Sequence, residues 1–411
     1  MQQQSNLTTS SRPTRRRKGR HEPRGKSRIS RRAAIALLFV TALTSLPASS
    51  TSSRSQSDPP LGIPVPSEVT PQGLLSRTSE NGDGRGLLPG AGACDSARHR
   101  PISLPADDGP HNGQHIEWWW WYGHLLTEDG RPLAYMLWFA AKPWANYYWT
   151  EYTVTDLSRD TFHYDRQPLI LGRPKAIKPG VLIRAEHSSA TSGDGRDALH
   201  FDVDGYELDL ALEAVKPAVI EFEDGFTTFY CNSLFSYSRV RVPTIGTLKL
   251  GGKQVRLSGS SHFIHQWGFA PGFDTLRYNH FTFELEDGRD IYIARLRAGR
   301  NDGDQASFYA GSISDASGHT TTLHRGDFDM RPTRYWRRDS TCRYPVEWDV
   351  DVKGLHLHVR PSLEHAELRA TRWPEMYALW PEWPAYWTGE TRISGDATGR
   401  GWLEDGGYCL A

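Results

Sequence analysis

Residues 117–122 read EWWWWY. In a strand, neighbouring side chains point to opposite faces. Trp118 and Trp120 then share one face, and Trp119 and Trp121 share the other. A sheet with one face in water has no use for indoles on both sides, because large apolar patches are rare on a monomer's surface. The run therefore predicts a strand buried on both faces, in an interior with aromatic walls and room for an apolar ligand.

The segments around it also read as strands. In His200–Ala214, Phe201 and Val203 alternate with acids up to Asp204-Gly205, and Tyr206, Leu208, Leu210 and Leu212 resume the alternation. This is a hairpin signature. Val346–Val359 repeats it around Lys353-Gly354, and Phe281, Phe283 and Leu285 run into Asp287-Gly288 and then Ile291-Tyr292-Ile293. No long stretch of helical periodicity follows residue 50, so the fold class is all-β, built as barrels or sandwiches. Glu-Asp-Gly-Arg occurs between aromatic strands at both 128–131 and 286–289. This faint repeat suggests two similar domains with a boundary near Val240–Pro243.

At 411 residues the chain is too long for one ordinary core. Residues 1–32 hold 11 Lys and Arg against one acid, leaving 37 basic and 47 acidic residues beyond. An acidic body argues against nucleic acid as a partner. Ala33–Pro47 is an apolar run, shorter than a membrane span, with Arg31-Arg32 before it and small residues after. Residues 1–50 are thus read as a twin-arginine-like export signal. Its cleavage would leave no stable span in an exported protein, and an uncleaved membrane anchor is the alternative. Residues 51–97, rich in Ser, Pro, Gly and Arg, read as a disordered linker. The folded parts are expected at 98–240 and 241–411. Cys94, Cys231, Cys342 and Cys409 allow two disulfides in any of three pairings.

Candidate chemistry falls in three places. Glu117 beside indoles has the makings of a general acid with a raised pKa. In Ser258–Gly268, SGSSHFIHQWG, His265 and Trp267 share a strand face, while His262 and Gln266 share the other. A C-terminal belt runs from Trp373 to Trp402 and includes Tyr377, Trp380, Trp383, Tyr386 and Trp387. His356-x-His358 puts two imidazoles on one strand face, turned to solvent and lacking a clear third ligand, so no metal site is expected. Gly-x-Ser-x-Gly is absent.

Together PADDGPH (105–111), EWWWWYGHL, EDGR, SGSSHFIHQWG, FTFELEDGRDIYIARLR and YWTGETRISGDATGRGWLEDGGY (386–408) resemble the AttH/CrtC-type lipocalin-like superfamily. Carotenoid 1,2-hydratases, fungal Diels–Alderases and many exported bacterial proteins belong to it. The resemblance spans roughly residues 100–411. It implies two lipocalin-like β domains side by side, with a hydrophobic, unsaturated small molecule bound within or between them and no cofactor. Reactions of the family are hydration of a double bond and isomerisation or cyclisation. A non-catalytic carrier is the rival reading. The family's Asp before the second-motif His is Ile264 here, which removes an acid that hydration would use. On this reading the catalytic candidates are His265, Gln266 and Glu117. The ligand-binding candidates are Trp119, Trp121, Tyr122, Trp267, Tyr278 and Trp387. The oligomeric state stays open.

Overall fold

The tryptophan run forms the strand Ile116–Thr127, buried along almost its whole length. The computed structural model describes residues 99–411 except 170–171, 272, 274–275, 299–306, 340, 370–384 and 410–411. The expected signal and linker, Cys94, Trp373, Tyr377, Trp380 and Trp383 lie outside the described residues. The described residues fall in one compact unit, Arg77–Ala411. Among the described residues, Ala106–Asp108 and Pro143–Ala145 are single 3-10 turns. No helix among the described residues is long and apolar enough to cross a membrane.

Two curled antiparallel sheets carry the fold, as the alternation predicts. In the first, the tryptophan strand lies between Pro132–Lys142 and Lys253–Phe269. Trp119 pairs with His265 and Trp121 with Phe263, while Trp120 pairs with Ile264 and Tyr122 with His262. Odd-numbered residues turn into the sheet's own core with Tyr135, Phe201, Leu208 and Tyr237. Even-numbered residues turn outward onto the second sheet, against Tyr278, Tyr292, Tyr386 and Trp402. The second sheet has its own core of Phe281, Ile293, Trp348, Val350, Trp387 and Leu403. Each indole removed from water supplies up to about 5 kcal/mol before the entropy of ordering. The run therefore binds two cores through one strand.

The Glu-Asp-Gly-Arg repeat is structural. Thr127 N–H donates to Arg131 O and Gly130 N–H to Thr127 O, at 3.0 and 2.9 Å. Leu285 to Arg289 and Gly288 to Leu285 repeat both bonds, at 2.9 and 3.1 Å. In each sheet the strand before this turn also pairs with the sheet's last long strand, Lys253–Phe269 or Gly399–Gly406. The boundary expected near 240 therefore falls inside the continuous strand Asn232–Leu250, which belongs to the first sheet. The change of sheet comes between Phe269 and Leu276. A bulge between Arg239 and Val242 breaks the alternation at the expected boundary.

Asp204-Gly205 and Lys353-Gly354 make the predicted two-residue turns, with φ of 49° and 84°, and 46° and 81°. Positive φ at both positions matches the twist of the strands they join. Cys342 and Cys409 form one disulfide, and Cys231 is disulfide-bonded as well.

Candidate functional site

The candidate residues separate into two compartments. Within the first sheet's core, Glu117 is the hub of a buried ion network. Its carboxylate accepts from the His111 backbone N–H at 2.9 and 3.0 Å. It also meets His111 Nδ1 at 2.7 Å and His265 Nε2 at 2.9 Å. His111 Nε2 lies 3.2 Å from Asp107, which Arg100 holds with two bonds of 2.7 Å. Beside it, Asp108 accepts from Tyr237 at 2.5 Å and from Arg239 at 2.7 Å. Trp267 stacks on His111 at 3.9 Å, and Trp119 on His265 at 4.8 Å.

Burial opposes charge on Glu117, but the bonds from His111 and His265 outweigh it and hold the carboxyl below its ordinary value. Burial likewise opposes charge on His111, and Asp107 and Glu117 overcome it and raise its pKa. Burial dominates at His265 and lowers its pKa. The network therefore holds a carboxylate and a neutral imidazole, with His111 biased toward its charged form. Glu117 is the reverse of the raised-pKa acid expected, because two imidazoles meet its charge.

The second compartment is a cavity of about 70 Å³ between the sheets. That is space for roughly five water molecules, or for part of a ligand that pushes its walls apart. Trp118, Trp120, Trp138, Ile264 and Gln266 line one side, and Tyr278, His280, Tyr292, Ala294 and Glu404 line the other. Trp119 and Trp121, expected on the ligand side, lie on the core side, and Trp118 and Trp120 take their place. Alternation predicted this split without saying which half faces which compartment. Trp267 is in the first core for the same reason. Trp387 is in the second core, donating to Glu364 O at 2.7 Å, while its neighbour Tyr386 turns between the sheets. Tyr122 lies between the sheets, its ring stacked on His262 at 5.2 Å. Tyr278 and Gln266 line the cavity as expected. Gln266 donates to Ser236 at 2.7 Å.

Sequence reasoning missed Glu404 and His280. They are directly opposite each other on paired strands. The repeat could have found them, because Tyr122 and His262 occupy the same ladder positions in the first sheet. Glu404 accepts from Tyr278 Oη at 2.7 Å. Burial, with Glu151 adding repulsion against the weaker pull of the Tyr278 and Thr388 bonds, pushes its carboxyl up to about 8. Burial pushes His280 down to about 3. At neutral pH the pair is therefore a carboxylic acid beside a neutral imidazole, and among the described residues His280 Nδ1 has no hydrogen-bond partner. Opposed shifts in neighbouring groups are how a site holds an acid and a base at one pH. Glu151, close by, is ion-paired with Arg166 at 2.8 Å and accepts from Tyr386.

The sequence model of the AttH-like family matches residues 95–408. The chain belongs to the AttH-like family. No protein of curated function matches it in sequence. The fold of this AttH-like chain is similar to that of a putative AttH from Nitrosomonas europaea, at 20% identity and a TM-score of 0.66, covering 76% of this chain and 99% of that one. It is also similar to kievitone hydratase from Nectria haematococca, at 14% identity and a TM-score of 0.62, covering 74% and 93%. At these identities the likeness is one of fold. Among the described residues of the AttH-like chain, three sets bring metal-ligating atoms together: His111, Glu117 and His265; Asp349, His356 and His358; and Cys342, Glu367 and Cys409, whose sulfurs are already joined.

Proposed function

We propose that the chain is an enzyme that adds water across a carbon–carbon double bond of an apolar small molecule held between the two sheets. One observation carries this reading: Glu404, a buried carboxyl that keeps its proton at neutral pH, sits on an aromatic cavity wall opposite a neutral imidazole. A carrier needs no such donor, and strongly shifted pKa values collect where protons are moved. The acid absent at Ile264 is supplied across the same cavity, since Ile264 and Glu404 both line it.

The chemistry follows from these groups. The Glu404 O–H bond breaks as its proton bonds to one alkene carbon, using the π electrons, and the other carbon becomes a cation. The indole faces of Trp118, Trp120 and Trp138 stabilise that cation. A water oxygen bonds to it, and the proton that water loses goes to His280 Nδ1. Transfer from His280 to the Glu404 carboxylate restores the acid. Tyr278, bonded to Glu404, orients the carboxyl. The ion network around Glu117 takes no part in these steps and fixes the loop 99–115 against the first core.

The test is incubation of the purified protein with a panel of branched apolar alkenes in ¹⁸O-water. The expected outcome is a product heavier by one labelled water, lost in Glu404→Gln. Full turnover in Glu404→Gln, or recovery of a bound ligand unchanged, would overturn the reading. Export is part of the same proposal, supported by the apolar run at 33–47 and by the Cys342–Cys409 disulfide.

A further inference from the structure

His356 and His358 were left without a third ligand by the sequence, and the fold supplies one. The strands Arg343–Val352 and Leu355–Pro361 pair across the tight Lys353-Gly354 turn. That register sets Asp349 opposite His358 and Asp351 opposite His356. Val346, Trp348, Val350, Leu357 and Val359 face the core, so the two carboxylates and two imidazoles share the solvent face. His358 Nδ1 lies 2.7 Å from Asp349, and His356 Nδ1 lies 2.6 Å from Asp351. The two rings are 4.8 Å apart and nearly perpendicular, at 86°. Perpendicular rings let two nitrogens converge on one point without clashing.

From these positions we propose that Asp349, His356 and His358 form a binding site for a divalent ion of the zinc class. One ligand atom from each falls within 4.8 Å of the others. Tetrahedral zinc with bonds near 2.0–2.1 Å needs ligand atoms about 3.4 Å apart. Side-chain rotation closes that difference, and the strands that carry the ligands stay paired. Two nitrogens and one oxygen favour zinc, copper or nickel over calcium or magnesium, which take oxygen ligands. Asp351 is not the third ligand, because Arg331 holds it at 3.0 Å. The imidazoles are 43% and 44% exposed, so an ion arrives from solvent and keeps water in its remaining position.

Single imidazole–carboxylate pairs occur across paired strands at His200–Asp209 and beside a turn at His187–Asp202, with contacts of 2.8 and 3.1 Å. Neither offers a second nitrogen. The buried set His111, Glu117 and His265 has the right atoms, but they are spent on the ion network and enclosed by indole rings.

The experiment uses the full chain without a histidine tag, stripped with chelator and titrated with zinc chloride by calorimetry. Cobalt(II) absorption then serves as a geometry probe. The expected result is one zinc per chain, undisturbed by excess calcium or magnesium, with the visible bands of four-coordinate cobalt. His356→Gln, His358→Gln and Asp349→Asn should each weaken binding at least about tenfold, and His200→Gln should not change it. These surface variants keep the core intact, and far-UV circular dichroism confirms that each is folded. No binding to the wild-type chain overturns the proposal. So does binding that survives the His356→Gln/His358→Gln pair, which would place the ion elsewhere.

Discussion

Replacing Glu404 with Gln should make the protein more stable at neutral pH while removing its proton donor. In the unfolded chain this carboxyl loses its proton near its ordinary 4.5, and in the folded protein it keeps it up to about 8. Between those values the folded state holds a proton that the unfolded state has released. Wild-type stability therefore falls as pH rises, by about 1.4 kcal/mol per pH unit. The contribution is whole below 4.5, is lost progressively, and is gone above about 8. At pH 7 the accumulated loss is about 3 kcal/mol. A glutamine does not titrate, and its carbonyl still accepts from Tyr278, so the variant escapes the loss. The assay is urea unfolding of both proteins, disulfides intact, from pH 5 to pH 9, followed by tryptophan fluorescence. Subtracting wild type from variant cancels the groups common to both. The difference should rise with pH and level off above about 8. A flat difference, or one that falls with pH, would refute the claim that Glu404 is a neutral acid in the folded protein.

Two further outcomes are expected. Asp108→Ala strands Arg239 and Tyr237 in the first core. Breaking a buried pair from one side costs about 3 to 5 kcal/mol, read as a lower urea midpoint. Cys342→Ser opens a link between residues 67 apart in sequence. The chain-entropy estimate for that loop is about 4 kcal/mol, and a calorimetric melt of the oxidised variant checks it.

Much of the fold was legible because strand alternation is a local signal. The doubled hairpins, both tight turns and the burial of all four indoles follow from residue types a few positions apart. The repeated Glu-Asp-Gly-Arg correctly marked two related units. The domain boundary was not legible, because a bulge at 239–242 imitates a break in the pattern. The candidate site was half legible for a similar reason. Alternation separates Trp118 and Trp120 from Trp119 and Trp121, but only the second sheet decides which pair meets the cavity. Glu117 and His265 did come together, yet their protonation depends on His111, brought in by a loop. In the sequence Glu404 is one acid among many. Its character comes from burial and from Glu151, contributed by the other sheet.

The tryptophan strand is a partition one residue thick. Adjacent indoles share backbone atoms, so a change in one compartment is felt at once in the other. Packing around Trp119 and Trp121 fixes where Trp118 and Trp120 can stand, although no ligand in the cavity could touch the first pair. Binding energy and folding energy are therefore coupled across this strand. A double-mutant cycle between position 119 and position 120 should show them to be non-additive, while either one should add simply to a change on the remote Asp349 face. Selection on the shape of the cavity would then have to act partly through residues that never meet its contents.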